Sequence, residues 1–95
     1  MRLTEDEKKV IVQTLQDIFG KCKIYIFGSR LDMTKRGRDI DIYVIPENRD
    51  SLYEKKLKAI VKLEQKLLKP VDLVVHYDFE KIIEQEAIKG CLLNN

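Results

Sequence analysis

The stretch Asp39-Ile40-Asp41-Ile42-Tyr43-Val44-Ile45, closed by Pro46, decides the fold. Its β-branched and aromatic residues predict a strand, and Pro46, with no N–H to give to a ladder, stops it. Aspartate is depleted in strands, because its carboxylate competes for backbone hydrogen bonds and is costly to desolvate. Asp39 and Asp41 stand two apart, so an extended chain points both to one face.

Upstream, Lys23-Ile24-Tyr25-Ile26-Phe27 reads as a strand ended by Gly28. Residues 29–38 are polar and contain Gly37, which predicts a loop with room for a short helical turn after Ser29. Further upstream, Thr4 with Glu7 is a capping-box pattern, and Glu5-Asp6-Glu7 suits the positive end of a helix dipole. The apolar stripe Val10, Ile11, Leu15, Ile18 and Phe19 follows, with Gly20 to end the helix. Downstream, Asp50 or Ser51 opens a helix whose apolar face is read as Tyr53, Leu57, Ile60, Val61, Leu67 and Leu68, and which Pro70 stops. Val71-Asp72-Leu73-Val74-Val75-His76 is a third strand. A last helix capped by Asp78 would bury Phe79, Ile82, Ile83, Ala87 and Cys91. The order predicts a small α/β (α+β) sandwich with a mixed three-stranded sheet, as one domain over residues 1–95.

The 95 residues are 44% hydrophobic and 36% charged. The charged share is well above the usual ~25%, so the surface is densely ionic. Ile, Leu and Val recur along the whole length, which excludes extended disorder. No apolar run approaches the ~20 residues of a membrane span, and the first residues show no secretion signal, so a cytoplasmic protein is expected. Cys22 and Cys91 make no disulfide framework. The net charge of +2 is too small to announce a nucleic-acid binder. Charge is uneven, however. Residues 30–38 carry Arg30, Lys35, Arg36 and Arg38, whereas residues 78–86 carry Asp78, Glu80, Glu84 and Glu86.

Asp72 opens the third strand among apolar neighbours. If strands two and three are adjacent, it approaches Asp39 and Asp41. Three carboxylates in one place repel one another unless a cation holds them, and a hard divalent ion such as Mg²⁺ is the natural solution. Gly28-Ser29 follows a buried strand. Glycine lets a backbone approach a phosphate, the serine hydroxyl and free N–H groups can cradle it, and the Arg30 guanidinium matches phosphate oxygens.

Taken together, Phe27-Gly28-Ser29-Arg30, Arg38-Asp39-Ile40-Asp41-Ile42 and Val71-Asp72-Leu73-Val74 resemble the DNA polymerase β nucleotidyltransferase superfamily. Within it the chain is similar to the minimal nucleotidyltransferases, MntA-like antitoxins of about this length encoded beside HEPN-domain partners. The resemblance covers nearly the whole chain. It departs from the family in the loop: Leu31 and Asp32 follow Gly-Ser-Arg where a small residue and glycine are usual, and Arg38 stands where serine is frequent.

The resemblance implies two Mg²⁺ ions on Asp39, Asp41 and Asp72, and Gly28 and Ser29 on the β/γ-phosphates with Arg30 assisting. It implies ATP as substrate and transfer of AMP to a protein hydroxyl, a tyrosine of a HEPN toxin. Asp72 would take or orient the acceptor proton. The competing reading is a non-catalytic module that masks a HEPN ribonuclease, which the altered loop keeps open. No membrane and no direct nucleic-acid contact are expected, and the chain would join a hetero-oligomer or a homodimer. His76 reads as a hydrogen-bonded strand-end residue, the four tyrosines as packing, Cys91 as buried, and Leu92-Leu93 as a core cap or a partner contact.

Overall fold

The computed structural model describes residues 3–27 and 40–94. Its elements run α1 (Glu5–Phe19), β1 (Cys22–Phe27), β2 (Ile40–Pro46), α2 (Leu52–Leu67), β3 (Val71–Val75), α3 (Ile82–Ile88) and β4 (Cys91–Leu92). The sheet order is β3-β2-β1-β4. β1 pairs antiparallel with β2 and with β4, while β2 and β3 are parallel, joined by the α2 crossover. The α+β class with a mixed sheet is as expected. Beyond the three expected strands, the described chain has the two-residue β4, in a stretch assigned above to the last helix.

α1 begins as its sequence dictates. The Thr4 hydroxyl accepts from the Glu7 N–H at 3.0 Å, and the Glu7 carboxylate accepts from the Thr4 N–H at 2.9 Å. Gly20 ends the helix at φ 75°, in a region where a side chain would be strained. Ile11, Leu15 and Phe19 bury their side chains against Ile24, Ile26, Ile40, Ile42, Val44 and Leu73 of the sheet. α1 and α2 thus cover one face of the sheet.

α2 keeps only part of the expected face, with Leu67 buried and Ile60 half-buried against the core. Its buried residues are Ala59, Leu63 and Leu67, whereas Tyr53, Leu57, Val61 and Leu68 are exposed. Ala59, Leu63 and Leu67 recur every four residues, and so do Tyr53, Leu57 and Val61, so spacing alone supports either ridge. Small Ala59 lets the helix approach the core closely, and packing chooses that ridge. The helix start also differs. Ser51 adopts a left-handed conformation with no side-chain cap, and Asn48 instead accepts from the Asp50 N–H at 2.8 Å.

α3 is the other departure. It is seven residues long and buries Glu84 and Ala87, leaving Phe79, Ile82 and Ile83 exposed. Cys91, expected on its buried face, lies in β4 and is exposed. β4 is held by more than its ladder. The Leu93 N–H donates to the Ile24 carbonyl at 2.7 Å. The Asn94 amide continues the pattern, donating to the Cys22 carbonyl at 2.8 Å and accepting from the Ile24 N–H at 2.9 Å. Cys22 itself is buried in β1, and desolvation pushes its thiol up to about 11, so it is an inert core residue.

Gly90 makes the α3-to-β4 turn possible. A Cβ there would overlap the Ile26 carbonyl oxygen and stand 2.9 Å from the Phe27 Cβ. We expect Gly90→Ala to destabilise the fold by about 1–3 kcal/mol, the usual cost of overpacking, measured by urea unfolding. Wild-type stability in that variant would show that β4 does not seat as described.

Candidate functional site

Alternation along β2 sends Ile40, Ile42 and Val44 into the core beneath α1 and α2. It sends Asp41 and Tyr43 to the opposite face, where Tyr43 packs with Phe27 and Ala87. On β3, Val71 and Leu73 enter the same core, so Asp72 and Val74 lie on the face of Asp41. The register pairs Asp41 with Asp72 across the parallel ladder. Adjacent strands run about 4.8 Å apart, so the two carboxylates leave neighbouring backbone positions on one face. Asp41 is half-buried and Asp72 is exposed. On its other side Asp41 pairs with Phe27, the last residue of β1.

This register is pinned at its start. The Ile40 N–H donates to the Pro70 carbonyl at 2.9 Å, and the Glu64 carboxylate of α2 accepts from the Val71 N–H at 2.9 Å. A one-residue slip would put Asp41 into the core and Ile40 into water, which burial of the opposite face forbids. The remaining expected site residues, Gly28, Ser29, Arg30 and Asp39, lie outside the described residues. Among the described residues no group of three His, Cys, Asp or Glu side chains forms a metal site. Asp41 and Asp72 supply carboxylate oxygens, the donor type that Mg²⁺ prefers. A wide groove of about 840 Å³ between α1 and β4, lined by residues such as Lys8, Gln16 and Leu92, includes neither carboxylate.

A second polar cluster occupies the carboxylate-bearing face, and the sequence reading missed its centre. Glu84 is 2% exposed. Its Oε1 accepts from the Tyr43 hydroxyl at 2.7 Å and lies 2.7 Å from His76 Nδ1. Its Oε2 accepts from the N–H groups of Tyr77 and Asp78, each at 2.8 Å. Burial alone would raise this carboxyl, but the donors from Asp78, His76, Tyr43 and Tyr77 outweigh it and lower it to about 2. Burial, together with the negative Glu84, raises the Tyr43 hydroxyl instead. His76 is the hydrogen-bonded strand-end residue expected, and its carbonyl also accepts from the Arg49 guanidinium at 2.6 Å. Tyr25 and Tyr43 pack as expected, at 5.9 Å between rings, while Tyr53 and Tyr77 are exposed.

Local pattern gave little sign of Glu84. It holds the third helical position after Lys81, but Lys81 offers no capping side chain, and the N–H groups that Glu84 accepts from are those of Tyr77 and Asp78, ahead of the helix. Glu84 was obscured by Ile82 and Ile83, which made a more apolar but wrong face.

Comparison with known proteins now bears on this geometry. Residues 9–95 match the family model described as Polymerase beta, Nucleotidyltransferase. The chain belongs to that family, and is a nucleotidyltransferase. It is also similar to the MNT antitoxin fold. One solved structure, a tri-AMPylated Shewanella oneidensis HEPN toxin in complex with MNT antitoxin, matches at TM-score 0.75 and 25% identity, covering 98% of this chain and 73% of that one. A toxin-antitoxin structure with AMP-PNP matches at TM-score 0.73 and 26% identity, covering 93% and 73%. The MntA-HepT toxin-antitoxin matches in fold, at TM-score 0.73 and 24% identity, covering 97% and 73%. No curated protein gives a match.

The Glu84 cluster gives the stability a defined pH dependence. Its folded carboxyl sits near 2, below its ordinary 4.5, so its contribution is complete above about 4.5 and is lost as pH falls toward 2. We expect Glu84→Gln to cost on the order of 3 kcal/mol at neutral pH, and the gap from wild type to narrow across that acid window in urea titrations. A gap independent of pH would show that the buried group is not ionised.

Proposed function

We propose that this protein transfers AMP from ATP to a hydroxyl of a HEPN-domain partner, a tyrosine. Asp39, Asp41 and Asp72 are the catalytic carboxylates, and Gly28, Ser29 and Arg30 the nucleotide-binding residues. The observation that carries this reading is the in-register placement of Asp41 and Asp72 on one face of adjacent parallel strands. Asp39 belongs to the same set by its two-residue spacing from Asp41.

Carboxylates on neighbouring strands repel one another, and a bound cation relieves that repulsion. These residues fit Mg²⁺, and Asp39, Asp41 and Asp72 would hold two such ions. Bound there, Mg²⁺ would neutralise phosphate charge and orient the triphosphate. The chain's own residues do the rest. Ser29 and the backbone at Gly28 grip the β/γ-phosphates, with Arg30 against their oxygens. The acceptor oxygen forms a bond to the α-phosphorus, and the bond from that phosphorus to its bridging oxygen breaks. Pyrophosphate leaves, and the acceptor proton passes to the Asp72 side. The family and the AMPylated toxin held by a similar antitoxin support a protein acceptor. Among the described residues no helix is long and apolar enough to cross a membrane.

Two measurements test this. Asp41→Asn should keep the fold, judged by circular dichroism, yet lower transfer of α-labelled ATP onto the HEPN chain by at least about 100-fold, the scale of a lost charge-stabilising group. Undiminished transfer would remove the carboxylates from the reaction. Separately, millimolar ATP with Mg²⁺ should raise the melting temperature by mass action. No shift, with tight HEPN binding retained, would favour the masking module.

A further inference from the structure

Residues 77–83 expose an unusual amount of apolar surface. Tyr77 is 74% exposed, Phe79 51%, Ile82 77% and Ile83 49%. Single exposed apolar residues need no explanation, but four within seven positions form a patch of the kind that marks interaction sites.

The segment is nevertheless held firmly. Glu84 accepts from the N–H groups of Tyr77 and Asp78, and the Asp78 carboxylate accepts from the Glu80 N–H at 2.9 Å. The Lys81 N–H donates to the Asp78 carbonyl at 3.0 Å. The Phe79 ring stacks on His76 with centroids 3.9 Å apart, and the Lys81 ammonium lies 4.8 Å from the Tyr77 ring centre. Burying a carboxylate is a poor way to gain stability, because well-packed apolar residues do as well or better. Its return here is pre-organisation: an apolar surface kept in one shape, so that binding costs less ordering.

The location selects the occupant. α3 covers the sheet face on which Phe27, Tyr43 and Ala87 cluster, which is also the face of Asp41 and Asp72. Tyr43, bonded to Glu84, is two residues along β2 from Asp41, and His76 is four residues beyond Asp72. Residues 77–83 follow the C-terminal end of β3, with His76 already about 13 Å of extended chain beyond Asp72; an acceptor of protein size seated on them along this face spans that length to bring a hydroxyl to the carboxylates. The exposed carboxylates Asp78, Glu80 and Glu86 edge the patch, while Lys81 lies over Tyr77 and Lys89 pairs with Glu86 at 3.9 Å.

We propose that residues 77–83, clamped by Glu84, are the docking surface for the acceptor protein, which meets them with an apolar patch edged by lysine or arginine. This rests on the function proposed above and assigns the surface by which that acceptor is gripped.

The test uses the full chain with its HEPN partner, comparing wild type with Ile82→Glu and with Leu68→Glu, a control in an equally exposed position at the end of α2. Ile82→Glu should weaken HEPN binding in calorimetry and raise the KM for the HEPN chain, each by at least tenfold. Its KM for ATP and its melting-temperature rise with Mg²⁺ and ATP should match wild type. Leu68→Glu should match wild type throughout. Wild-type binding and KM in Ile82→Glu would overturn the docking surface while leaving the proposed reaction standing. A wild-type dimer in light scattering that Ile82→Glu converts to monomer, with HEPN binding unchanged, would assign the surface to a second copy and also overturn it. Failure of wild type itself to bind or modify a HEPN chain would reject the proposed acceptor, and this surface with it.

Discussion

Two negative charges leave adjacent strands at the same level, and the rest of the molecule is arranged around keeping them there. Asp41 and Asp72 share a register position in the only parallel pairing among the described strands. Parallel pairing demands a crossover, which α2 supplies, and α2 also fixes the start of β3 through Glu64. The core on the opposite face locks the phase of both strands, because a slip would exchange isoleucine for aspartate inside it. Hydrophobic burial on one side of the sheet thus holds charge in place on the other.

The same face carries a second expensive device. Glu84 is ionised and buried, and it stays so only because four donors converge on its two oxygens. Those donors come from β2, from the end of β3 and from the turn that follows, so one carboxylate ties three segments together. The carboxylate pair and this clamp are connected through β2, where Asp41 and Tyr43 are neighbours on one face. The Asp41–Asp72 pair and the apolar surface of residues 77–83 are therefore tied to one strand.

Several readings that rested on local chemistry came through, although α2 starts without a side-chain cap and α3 starts at Lys81 rather than at Asp78. The Thr4 capping box, the glycine stop at Gly20, the proline stop at Pro46 and the alternation through Asp41 all depend on residues near in sequence. Reading failed where a long-range choice outweighed a local preference. On α2, the exposed Tyr53, Leu57 and Val61 repeat at the same spacing as the buried Ala59, Leu63 and Leu67, and only packing against the core separates the two ridges. On α3, Ile82 and Ile83 outscore Glu84 in any count of hydrophobicity, yet Glu84 goes inside because its hydrogen-bond partners wait there. β4 is too short to show a period, and it exists because Gly90 admits close contact with β1 and Asn94 completes the edge.

What could be read from residue order was the list of parts and the chemistry they imply. Strands marked by β-branched runs, a carboxylate pair spaced by two and a Gly-Ser pair followed by an arginine are all local patterns, legible within a few residues. Which strand lies beside which, which ridge of a helix turns inward and which acid is buried belong to the folded molecule. They follow from pairing and packing between residues dozens of positions apart, as when residue 72 comes level with residue 41. The free energy of those contacts depends on shape and partners that no single segment contains.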